Sequence, residues 1–131
     1  MKRTVAITLL SLCTALLPCC SNECEWTITY KLTGTAAEVG VEFNNKRGDT
    51  ESYSSVPIPM EYTFDIEFGS SEQTTGVSSG DVYPAYIRAW VNGIQVGWIT
   101  VEIYVNGKLV RTGSSTPGYD LTAMAHYGVQ L

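Results

Sequence analysis

The sequence predicts an all-β protein built as two antiparallel sheets packed face to face. Three observations predict it. Downstream of Cys24 no stretch carries a helical period, whereas runs of alternating apolar and polar residues recur. Two Asn-Gly pairs, Asn92-Gly93 and Asn106-Gly107, follow such runs, and Asn-Gly is the strongest short hairpin signal because both central residues must accept positive φ. Each run, finally, has one apolar face, which only another such face can cover.

The elements follow in order. In EWTITYKLT, Trp26, Ile28, Tyr30 and Leu32 alternate with Thr27, Thr29 and Lys31. AEVGVEF then places Val39, Val41 and Phe43 on one side and Glu38 and Glu42 on the other, and NNKRGD follows as a turn. The clearest run is EYTFDIEF, with Tyr62, Phe64, Ile66 and Phe68 facing in and Glu61, Thr63, Asp65 and Glu67 facing out. YIRAWV leads to Asn92-Gly93, ITVEIYV leads to Asn106-Gly107, KLVRT returns from that turn, and DLTAMAHYGVQL closes the chain. These are about seven short strands, and the expected assembly is an immunoglobulin-like β-sandwich over residues 26–131. A domain of this size buries about two-thirds of its unfolded surface, so no disulfide is needed.

The 131 residues suffice for one domain, and 44% apolar with 16% charged residues is a globular composition. The chain begins with Lys2 and Arg3, then runs from Val5 to Leu17 apolar except for Thr8, Ser11 and Thr14, and is closed by Pro18. That run falls short of the roughly 20 residues a membrane-spanning helix needs, and it reads as a secretory signal. Export is the expectation. With Lys2 and Arg3 removed in the leader, the 8 basic side chains become 6 against 13 acidic ones, a net charge of −7. Such a domain is repelled by nucleic acid and by anionic lipid head groups, so neither is an expected partner of its surface.

Four cysteines sit near the start and none lies downstream of Cys24, so no disulfide can staple the domain. Cys13 leaves with the leader. Cys19, Cys20 and Cys24 are one ligand short of a zinc site, the single His126 being far along the chain, and no metal or other cofactor is expected. The stretch LLPCCSNEC instead resembles a bacterial lipobox, with Cys20 as the acylated residue, Leu17 at the branched apolar position and Cys19 before the cut; Cys19 is the alternative acceptor. On that reading residues 1–19 are signal and 20–25 a lipidated tether, and several acyl chains at about 0.8 kcal/mol per buried methylene anchor the protein firmly. Glu23 and Glu25 resemble the surface-export signal of lipoproteins from the Bacteroides group. The resemblance implies the periplasmic or the cell-surface side of the outer membrane.

ITYKLTGTAAEVGVEF, VPIP at Val56–Pro59 and ITVEIYVNGKLVRTGSSTPGYDLTAMAHYGV together resemble the mycobacterial small membrane protein (MmpS) family. The likeness rests on Thr33-Gly34-Thr35-Ala36 ending the first strand, the mid-domain Pro-x-Pro segment, and the hairpin Ile103–Val110 leading through Ser114–Tyr119 to a last strand. It implies a β-sandwich on the outer side of a membrane that assists a large exporter. The chain departs from the family in its lipid-type signal, in Met60 where an aromatic is common, and in lacking cysteines near the last strands.

Candidate chemistry is sparse. His126 has no matching nucleophile or orienting acid, and its neighbours place it on a strand's outward face. Glu61, Asp65 and Glu67 share a solvent face, which offers no cleft for paired-carboxylate catalysis. The loop GSSEQTTGVSSGD, with Glu72 and Asp81, lacks calcium-loop spacing. Arg47-Gly48-Asp49 is an adhesion tripeptide in ordinary turn composition. In YIRAWVNGIQVGW, Tyr86, Arg88 and Trp90 share one face and Ile87, Ala89 and Val91 the other. If the aliphatic face is core, an aromatic row is exposed to stack on a sugar or partner; if a tryptophan fills the sandwich, nothing functional remains. One of Trp90 and Trp98 is expected to be buried. The chain is therefore read as a non-enzymatic, lipid-anchored envelope protein that contacts a partner protein complex, an exporter or an apolar ligand. The alternative is a surface carbohydrate-binding or adhesion module using Trp90, Trp98, Tyr86 and Arg88.

Overall fold

A computed structural model describes residues 26–67, 81–91, 97–116 and 121–131. The expected all-β fold is what forms, with eight strands among the described residues: β1 (Thr27–Gly34), β2 (Glu38–Asn44), β3 (Thr50–Pro57), β4 (Met60–Asp65), β5 (Val82–Trp90), β6 (Ile99–Val105), β7 (Lys108–Ser114) and β8 (Thr122–Gln130). They form two four-stranded sheets, β4-β1-β6-β7 and β3-β2-β5-β8, with every pairing antiparallel. The immunoglobulin constant domain sorts its strands as ABED and CFG. The likeness here is therefore one of architecture, two packed antiparallel layers, and not of strand order. The strand absent from the sequence reading is β3, an edge strand exposed along most of its length.

The alternation read from the sequence is the alternation of burial. Ile28, Tyr30 and Leu32 of β1, Val39, Val41 and Phe43 of β2, and Ile87 and Ala89 of β5 are all buried. Each fully buried aliphatic side chain contributes about 1.5–3 kcal/mol, so these inward faces are what holds the layers together. Aromatic rings gather toward one end of the core: Tyr30 lies 5.7 Å from Phe43 and 5.6 Å from Phe64, and Tyr62 lies 5.1 Å from Phe43. Small and aliphatic residues, among them Leu32, Ala89, Ile99 and Leu121, fill the other end.

Two local features shape the surface. Val39 faces Val56 and Val41 faces Tyr53, so the single Gly40 is opposed by both Ser54 and Ser55, a bulge in β3. On the opposite side of the sandwich β7 and β8 meet so closely that a Cβ on Gly113 would fall 1.9 Å from the Met124 carbonyl oxygen. The β6–β7 turn is the expected Asn-Gly hairpin, with Asn106 at φ 50° and Gly107 at φ 80°.

Because the strands alternate in direction, the connections sort to two ends. Trp26, the β2–β3 and β6–β7 hairpins and the chain terminus lie at one end. The β1–β2 link, the β3–β4 link, the end of β5 and the start of β6 lie at the other. Among the described residues no helix is long and apolar enough to cross a membrane. The leader, Cys19, Cys20 and Cys24, together with Phe68, Glu72 and the Asn92-Gly93 pair, lie outside the described residues.

Candidate functional site

The outer face of the β3-β2-β5-β8 sheet carries the residues that sequence reasoning singled out. Ile87, Ala89 and Val91 are buried, so Tyr86, Arg88 and Trp90 stand outward along β5. The expectation that a tryptophan fills the core does not hold. Trp90 is half-buried on the outer surface, and Trp98 is 47% exposed. The reason lies on the neighbouring strand. Trp90 is paired with Gly40, and a Cβ on Gly40 would come within 2.3 Å of Trp90 Cε2. The indole therefore lies over a bare stretch of β2 backbone, a cross-strand aromatic covering a glycine.

The surroundings of that ring are ordered by register. Arg88 stands opposite Glu42 on one side and Met124 on the other, and its guanidinium carbon lies 5.5 Å from the centre of the Trp90 ring. The Tyr86 hydroxyl donates to Glu42 Oε1 at 3.0 Å. Burial first, and then this carboxylate, raise the Tyr86 phenol above its ordinary value, so it stays a neutral donor. Met124 is 53% exposed beside Arg88. Trp, Tyr, Arg and Met are the side chains enriched where proteins make contacts, and here four of them share one surface.

Two hollows flank this row. The upper one, of about 350 Å³, is lined by Glu38, Gly40, Ser54, Ser55 and Val91 among others. It lies where Gly40 of β2 meets the bulge on β3. Ser55 Oγ donates to Glu38 Oε2 at 2.8 Å across it. The lower one, of about 380 Å³, is lined by Tyr86, Pro84, Gly128, His126 and Thr50, where proline and glycine leave the sheet uncovered.

Trp98 does not join this group. It lies just before β6 of the other sheet, where its amide donates to Thr35 Oγ1 and its carbonyl accepts from the Thr35 amide, each at 3.0 Å. Glu38, Gly40, Glu42, Ser55 and Met124 were not singled out from the sequence. The alternation showed which way Glu38 and Glu42 point, but nothing local showed that β2 lies beside β5.

His126 is exposed on the outward face of β8, as its neighbours implied. Glu61 faces Lys31 at 3.9 Å, Asp65 accepts from Thr27 Oγ1 at 2.6 Å, and Glu67 holds Lys46 at 3.0 Å. These carboxylates are thus separated onto different partners, and that ion pair lowers the Glu67 pKa. Arg47-Gly48-Asp49 forms the tip of the β2–β3 hairpin, with Arg47 Nε 3.7 Å from Glu67. Among the described residues no group of acidic, histidine or cysteine side chains is arranged to hold a metal ion. Compared with known proteins, the chain matches no family model and no curated sequence.

Proposed function

We propose that this chain is a lipid-anchored, non-enzymatic binding module of a bacterial envelope, which meets its partner through the outer face of the β3-β2-β5-β8 sheet. Acylated Cys20, or Cys19, holds it on the periplasmic or cell-surface side of the outer membrane. The observation that carries the reading is the row Tyr86, Arg88 and Trp90 standing outward on β5 beside exposed Met124. Its polarity supports the reading as well. The chain enters β1 at one end of the sandwich, whereas Trp90 ends β5 at the other, roughly 26 Å away for an eight-residue strand. A tether on the N-terminal side turns Trp90 away from the membrane. The adhesion tripeptide, by contrast, lies at the tether end with its arginine beside Glu67, which favours the sheet face over the hairpin.

The reading is tested by placing a photo-crosslinking amino acid at Met124 and, as control, at Thr63 on the opposite sheet, in cells producing the native protein. Envelope adducts form from the Met124 position and not from Thr63; adducts equal at both positions, or at neither, overturn it. Mass spectrometry of the purified protein shows the leader removed and an acyl mass on the new N-terminal cysteine. The exporter-assisting role rests on the MmpS likeness. It calls for a large membrane protein to co-purify in mild detergent, and a clean preparation without one removes that role.

A further inference from the structure

We infer that the partner class read by this face is a neutral glycan, with Trp90 as the stacking platform and the hollow at Glu38, Gly40, Ser54 and Ser55 as the subsite that reads sugar hydroxyls. The inference rests on the sheet-face reading above and names its ligand.

Three observations on the same surface carry it. Gly40 both lines the upper hollow, of about 350 Å³, and lies beneath the Trp90 ring, so the indole and the hollow share one residue. A flat aromatic surface accepts the C–H face of a pyranose. Glu38, Ser54 and Ser55 line the hollow, with Glu38 and Ser55 held together at 2.8 Å. Carboxylates accept and hydroxyls both donate and accept, which matches the hydroxyl edge of a sugar. The hollow is open and half-polar, whereas apolar ligands seek enclosed, largely apolar pockets.

Charge selects among sugars. Glu42 stands opposite Arg88 in register and Glu38 lies in the hollow itself, so carboxylates outnumber the one arginine along this row. Together with the acidic balance of the whole domain, this disfavours uronic or sulfated polymers. Extent is set by the second hollow, which begins at Asn44 on the strand that carries Gly40, about 13 Å further along at the strand rise. That spacing exceeds a single hexose, so the ligand is a chain of sugars running along the sheet, with Tyr86 and His126 beneath its far end.

The test uses the full chain purified in mild detergent, titrated with cello-, malto-, manno- and xylo-oligosaccharides, with oligogalacturonate as the anionic control. Binding is read by calorimetry and by tryptophan fluorescence. At least one neutral series binds saturably and the anionic control does not. Trp90→Ala weakens that binding about tenfold, and Trp90→Phe restores part of it. Glu38→Gln, which leaves the ring in place, weakens it several-fold. Circular dichroism confirms that each variant folds, as expected for side chains outside the core. Failure of every neutral series to bind overturns the inference, as do stronger binding of the anionic control or wild-type affinity in both Trp90→Ala and Glu38→Gln. If no sugar binds while Met124 still crosslinks to an envelope protein, the glycan assignment falls and the sheet-face reading stands. If neither occurs, both fall.

Discussion

The phenol of Tyr83 reaches from β5 to the start of the β2–β3 hairpin, where its oxygen lies 2.7 Å from the Asn45 carbonyl and 3.0 Å from that of Asn44. Tyr30 reaches the same place from the other sheet, 2.9 Å from the Asn44 carbonyl. Both side chains are fully buried. Asn44 completes the arrangement by donating through Nδ2 to the Pro84 carbonyl at 2.6 Å. Strands from both layers thus converge on one hairpin root, and there each sheet fixes the other in place.

Removing one hydroxyl separates this polar tie from the ring packing around it. Tyr83→Phe lowers unfolding free energy by about 1–2 kcal/mol, because buried carbonyls lose a donor while the ring remains. Tyr83→Ala, which also opens a cavity, lowers it by about 3–5 kcal/mol. Urea denaturation followed by circular dichroism measures both. Equal stability of Tyr83→Phe and the unchanged protein would show that the tie contributes nothing.

Alkaline pH tests the same pair differently. Burial raises the pKa of Tyr30 and Tyr83 above the ordinary 10.0. Above that value the unfolded chain loses these protons while the folded one keeps them, so the unfolded state binds fewer protons and stability falls as pH rises. The contribution is complete below pH 10.0 and declines from there toward the raised native values. Phenolate absorbance of these two rings appears only with unfolding, and Tyr83→Phe makes the alkaline decline shallower.

Two glycines predict contrasting costs. At Gly113 a methyl group meets backbone, the Met124 carbonyl at 1.9 Å, so Gly113→Ala forces β7 away from β8 and costs about 3 kcal/mol. At Gly107 nothing lies within 4 Å, and Gly107→Ala costs about 1–2 kcal/mol from its positive φ alone. Thermal melts of the two variants rank them, and the reverse ranking would contradict the close approach of β7 and β8.

Gly40→Ala lifts the indole from its seat. The added methyl falls within 2.6 Å of three Trp90 ring atoms, so the ring swings out and stability drops by about 1–2 kcal/mol. Tryptophan emission moves to longer wavelength and its quenching by iodide rises. Neither change appears when Trp90 has first been replaced by Phe.

What the sequence disclosed and what it withheld have physical causes. Strands such as β1 and β4 were legible because one face meets the core and the other meets water, which writes a period of two into the chain. The strand TESYSSVP lies at a sheet edge, where only Val56 and Glu51 are even partly covered, so burial left no such trace. That Tyr86, Arg88 and Trp90 share one face followed from their alternation with Ile87, Ala89 and Val91. The fate of Trp90 did not, because it depends on Gly40, a residue fifty positions earlier that pairing alone brings beneath it. Partner strands are set by the whole sandwich, and no local pattern encodes them.

The position of β1 bears on how such a domain withstands pulling. It is an interior strand, laddered on one flank to β4 through Thr27–Leu32 and on the other to β6 through Ile28–Gly34. For a domain held at residue 26 and loaded at the Trp90 end, tension runs lengthwise along β1 while its hydrogen bonds lie crosswise to it. The bonds on both flanks then resist together in shear instead of peeling apart singly, so force applied along that line meets the strongest arrangement a ladder can offer.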